Sequence, residues 1–142
     1  MLKRMLVFVL AVAAAALSGS VIQSLFNLAA LQGIGASLSL SLWLQTIFHD
    51  LTGFAPIYAA VVALSLICAF PVAALVARMM PAQRALIFAF AGAAGLWAAL
   101  MLANHVAPMP TLIAATRTLP GLLAMMACNA LGGLVYSKGV KP

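Results

Sequence analysis

Acidic residues are all but missing from this chain. Asp50 stands alone among 142 residues, against seven Lys and Arg, and charge of either sign makes up 6% of the sequence. A soluble domain carries roughly a quarter charged residues. Too little charge is present to build a surface facing water, so lipid must be the main solvent. With no carboxylate inside an apolar stretch, a proton-coupled exporter driven by a membrane-embedded Glu is disfavoured. The net charge of +6 does not point to nucleic acid, because the basic residues stand singly and form no patch or stripe. Cysteine is nearly as scarce. Cys68 and Cys128 each lie within apolar sequence, where a free thiol behaves as a small hydrophobe. Without neighbouring His or acid they make no metal site. The chain also lacks a GxSxG-type nucleophile setting, a CxxCH haem-attachment motif, internal repeats and linkers.

Hydrophobic residues make up 67% of the sequence, and the mean hydropathy is +1.23. They gather into four stretches, at about residues 5–30, 54–77, 85–103 and 112–136. The fold expected is an all-α integral membrane protein: one domain, 1–142, of four transmembrane helices, with an interfacial segment between helices 1 and 2 and a Pro-broken fourth helix. Charge sits at alternate ends of the stretches. Lys3 and Arg4 precede the first, Arg78 and Arg84 lie between the second and third, and Lys138 and Lys141 follow the fourth. Lys and Arg collect on the cytoplasmic side of a membrane. Four crossings therefore put both termini in the cytoplasm of a bacterial-type inner membrane. The rival reading makes residues 1–18 a cleaved signal peptide, with Lys3 and Arg4 before an apolar run and small residues near Ser18. Apolar helical character continues through Val21, Ile22, Leu25 and Phe26, which favours an uncleaved span.

Local signals divide the chain further. Gly33 and Gly35 end the first helix. Residues 37–44 then alternate Ser and Leu around Trp43. Alternation suggests a half-buried strand, but a lone strand in lipid leaves its backbone groups unpaired. A short helix in the interface, with Trp43 at headgroup level, is expected instead. Pro56 suits the first turn of helix 2, and Pro71 kinks that helix and frees the carbonyl of Ile67. Residues 79–83 form a tight turn through Pro81. Residues 91–95 and Ala99 give helix 3 a small-residue packing face, as do Ala124, Cys128 and Gly132 in helix 4. Pro108 and Pro110 end the third helix, Thr111 caps the next from Leu112, and Pro120 with Gly121 breaks it into an outer piece and a span.

The rare polar groups fall in two sets. His49, Asp50, Asn104, His105, Thr116, Arg117 and Thr118 are expected on the outer face. Arg117, the one basic residue assigned to that side, pairs most simply with Asp50, clamping the interfacial segment onto helix 4. Its fork also suits an anionic or carbonyl-bearing ligand. His49 and His105, near one depth, raise a haem-iron reading, but no further signature accompanies them. The second set is intramembrane. Ser20, Gln23, Ser24 and Asn27 share one face of helix 1, and Asn129 lies in helix 4. Interhelical hydrogen bonding is the first reading, and a polar lining for a solute or a quinone headgroup the second.

No catalytic residue, metal or cofactor is assigned. The preferred function is a non-catalytic anchor or assembly subunit of a larger membrane complex, with a membrane or periplasmic protein partner, such as a periplasmic redox enzyme. The alternative is a transporter or channel for ions or small solutes acting as a homo-oligomer. The second alternative is a haem- or quinone-binding membrane protein.

Overall fold

The computed structural model describes residues 1–106 and 113–140. Their regular structure is entirely helical: α1 (Leu2–Gly33), α2 (Leu40–Met79), α3 (Arg84–Val106) and α4 (Leu119–Gly139), with short 3-10 turns at Pro81–Gln83 and Ala114–Arg117. Each of the four long helices is long and apolar enough to cross a membrane, as a multi-pass membrane protein requires.

Several boundaries depart from expectation. α1 runs to Gly33, and Gly35 follows with a positive φ of 92°, a conformation open to glycine without strain. The separate interfacial helix is not found. α2 begins at Leu40 and continues unbroken past Phe54, so Pro56 lies inside it and not in its first turn. The physical reason is the cap. Ser39 is extended, and its Oγ accepts from the Leu42 N–H at 3.3 Å. The following residues, rich in Leu, propagate the helix. Residues 36–38, before this cap, have no regular structure. α3 reaches Val106 and takes in Asn104 and His105. α4 starts at Leu119, not near 112. Thr118 caps it, accepting from the Gly121 N–H at 3.3 Å, and Pro120 falls in the first turn, where its missing N–H leaves no bond unmade. The expected break thus lies at Thr118, with the Ala114–Arg117 turn as the short outer piece. The turn through Pro81 is present as a 3-10 turn. Pro108, Pro110, the cap at Thr111, the start at Leu112 and Lys141 lie outside the described residues.

The helices alternate in direction and form a ring in chain order, with α4 closing against α1. Between helices in lipid, attraction comes from close packing. The small residues make that possible. A Cβ on Gly133 would strike the Phe88 carbonyl of α3, and one on Gly132 would come within 2.8 Å of the Ala11 carbonyl of α1. α4 is thereby wedged between both neighbours. Toward one end, each helix contributes an aromatic ring: Phe8, Phe70, Phe88 and Tyr136. Phe70 stacks on Tyr136 with centroids 4.5 Å apart, and Phe88 meets both at 5.3 and 5.4 Å.

Candidate functional site

The four helices are unequal in length, and the inequality falls at one end. At 1.5 Å per residue α3 and α4 are about 35 and 32 Å long, close to the roughly 30 Å hydrocarbon core, whereas α1 and α2 reach about 48 and 60 Å. The basic ends are level, because Arg4, Arg78, Arg84 and Val140, one from near the end of each helix, line a single cavity. The surplus length of α1 and α2 therefore projects at the opposite end as a helical hairpin.

This hairpin carries little of the core. No residue in 29–54 is buried. Its side chains are nevertheless largely apolar: Ile34 is 82% exposed, Leu40 76% and Phe48 68%, with Leu31, Leu42 and Leu44 also exposed. The cost of a lone strand in lipid and the position of Trp43 suggest a separate interfacial helix over residues 37–44. In the structure residues 40–44 are instead the first part of α2. The overlooked signal was Ser39, a capping residue directly before a run that makes good helix.

The hairpin is tied down at its base. Ser24 of α1 is fully buried, and its Oγ donates to Asp50 Oδ2 of α2 at 2.7 Å. A hydrogen bond to a carboxylate is stronger than one between neutral groups. Beside it, Gln23 Oε1 accepts the Ala115 N–H at 2.8 Å, tying the Ala114–Arg117 turn to α1. The structure thus joins Gln23, Ser24 and Asp50. It does not join Asp50 to Arg117. The Asp50 carboxylate meets Ser24 instead, and Arg117 is exposed at the end of its 3-10 turn, not inside a helix. The expected clamp exists, but a serine on α1 supplies it. Because α2 lies against α1 at this level, Asp50 reaches the polar face of α1.

The remaining candidates lie on three different elements. His49 is exposed on α2, and His105 is exposed near the end of α3. Asn104 is half-buried. Thr116 Oγ1 donates to the Ile113 carbonyl at 2.8 Å within its own turn. Among the described residues no group of three or more His, Cys, Asp or Glu could hold a metal ion. Ser24 beside Asp50 is no presented nucleophile, since its hydroxyl is sealed from solvent.

Deeper in the bundle, Asn129 is fully buried. Its Nδ2 donates to the Gly92 carbonyl at 2.7 Å and to Ser65 Oγ at 3.3 Å, linking α4 to α3 and α2. Asn27 is exposed. Gln23, Ser24 and Asn129 are therefore engaged in holding elements together, and Asn27 lines no interior. Comparison with known protein families, curated proteins and solved structures finds no match to this chain.

Proposed function

We propose that this chain is a non-catalytic membrane subunit whose hairpin, residues 29–54, docks a protein partner outside the bilayer. One observation carries the reading: the hairpin projects beyond the level of α3 and α4, is largely apolar, and contributes no fully buried residue to the core. An apolar surface this large on a segment reaching past the hydrocarbon marks an interaction site. Under the excess of Lys and Arg at the other end, that end is cytoplasmic and the hairpin lies on the outer side. The Ser24–Asp50 and Gln23–Ala115 bonds support the docking role by fixing the base of the hairpin. Phe48 and its neighbours on α2 offer the apolar contact, and exposed Arg117 and His49 offer polar contacts at its edge.

The test is affinity purification in mild detergent, comparing the natural chain with Phe48→Gln, Leu44→Gln and Arg117→Ala. A stoichiometric partner is expected with the natural chain. Phe48→Gln should deplete it several-fold without altering the elution volume of the subunit itself. Arg117→Ala should weaken it less. Undiminished partner recovery from the Phe48→Gln, Leu44→Gln double variant would remove the hairpin from the interface.

A further inference from the structure

The basic end of the bundle holds a cavity of about 400 Å³. Arg4 of α1, Arg78 of α2 and Arg84 of α3 line it, with Phe88, Tyr136 and Val140. No acidic side chain serves these guanidiniums, because Asp50, the one acid in the sequence, is bonded to Ser24 at the base of the hairpin. Like charges gathered at one cavity repel, and a low-dielectric wall strengthens the field they make. The arrangement is complementary to an anion.

Arg84 is the fixed member. Its Nη2 donates to the Val140 carbonyl at 2.9 Å, and its guanidinium carbon lies 4.9 Å from the centre of the Phe88 ring. Its Nε is buried and has no partner among the described residues. Buried donors are normally paired, so this guanidinium has hydrogen-bonding capacity left over. The planar fork of arginine matches phosphate oxygens.

The shape of the space narrows the anion. A second, apolar groove of about 410 Å³ runs along the bundle, lined by Phe8, Leu66, Ile67, Phe70 and Pro71. Ala74 and Tyr136 line both spaces, so the basic cavity and the groove adjoin across these two residues. Pro71 cannot donate to the Ile67 carbonyl, which interrupts the regular helix surface at this point. A charged chamber beside an apolar slot has the outline of an amphiphile. A free phosphate would use only the first.

We propose that this end of the bundle binds one anionic phospholipid, its phosphate among Arg4, Arg78 and Arg84 and an acyl chain in the groove beside Ile67 and Pro71. Basic pockets between spanning helices are suited to such headgroups. The inference stands apart from whatever docks on residues 29–54, since the two lie at opposite ends.

The purified full chain in neutral detergent would be titrated with short-chain phosphatidylglycerol, with the matching phosphatidylcholine and with inorganic phosphate. Native mass spectrometry counts retained lipid, and thermal unfolding follows the shift in Tm. One phosphatidylglycerol per chain and a saturable rise in Tm are expected, without either effect from the other two probes. Arg78 is exposed and free of hydrogen bonds among the described residues, so Arg78→Gln should fold as the natural chain does. It should bind phosphatidylglycerol roughly five-fold more weakly. Ala74→Trp, which fills the junction without touching charge, should weaken binding at least as much. Lys138→Gln, the same charge change at the same end but outside the cavity, should leave binding intact. The Tm of each variant without lipid reports its folding. Inorganic phosphate binding as tightly as the lipid would overturn the proposal in favour of a free-anion site. Equal losses in Arg78→Gln and Lys138→Gln would overturn it in favour of diffuse surface attraction.

Discussion

Asn129 is the residue on which three helices converge. Its amide reaches the Gly92 carbonyl of α3 and the Ser65 hydroxyl of α2, while Ser65 itself donates to the Val62 carbonyl at 2.8 Å. Interhelical hydrogen bonds in lipid contribute about 0.6–2 kcal/mol each. Asn129→Leu removes both bonds, and the larger apolar side chain must fit against the backbone of Gly92. We expect this variant to lose about 1 kcal/mol of unfolding free energy, measured by denaturant titration in mixed micelles. Unchanged stability would mean that close packing alone holds the centre. Asn129 was legible in the sequence as a polar residue beside a small-residue stripe. Its partners were not, because a backbone carbonyl such as that of Gly92 leaves no mark of its own in a sequence. The same is true of Asp50. Its charge was obvious, yet the choice between Ser24 and Arg117 depended on which helix lay alongside. The three arginines show the reverse. Each was read as a mark of membrane sidedness, and their meeting at one cavity follows only from how the helix ends are brought level.

At the scale of elements, hydropathy shows where the helices are, and capping shows where they begin. Four apolar stretches became four helices, and Gly33 with Gly35 ended the first as expected. The difference came at a start. Apolar sequence resumes at Phe54, yet the structure begins that helix at Leu40, directly after Ser39, and the last helix begins directly after Thr118; both hydroxyls satisfy a backbone N–H of the first turn. A long α2 places Phe48 and Met79 at opposite ends of one helix. With Cys68 and Cys128 replaced by Ala, a single cysteine at position 48 should react with a membrane-impermeant thiol reagent added to intact cells. A single cysteine at position 79 should react only after permeabilisation. Labelling in the opposite order would invert the orientation. Packing between elements makes a second demand. Gly133→Leu would drive a side chain into the Phe88 backbone, so α3 and α4 must separate. We expect the variant to lose its folded fraction in detergent by size-exclusion chromatography, whereas Leu131→Ala, at an exposed position of the same helix, should elute normally.

At the scale of the whole molecule, the chain is level at one end and uneven at the other. The level end carries Arg4, Arg78 and Arg84, the aromatic cluster and the arginine-lined cavity. The uneven end carries a largely apolar hairpin fixed at its base by Ser24 and Gln23. Gln23, Ser24, Ser65 and Asn129 are engaged in holding elements together, which weighs against a solute path along the face of α1 and toward a supporting role in an assembly. Composition was enough to read four helices long and apolar enough to cross a membrane. It could not reveal the projection of α1 and α2, since the length of a helix beyond the bilayer is visible only against its neighbours. The most direct measurement is mild-detergent affinity purification of the tagged chain from its native membrane, with a salt wash and mass spectrometry of all co-eluting proteins. We predict a different polypeptide at fixed stoichiometry that survives the wash, because an apolar contact on residues 29–54 is insensitive to screening. Recovery of the chain by itself, as a monomer or as a homo-oligomer, would contradict the subunit role.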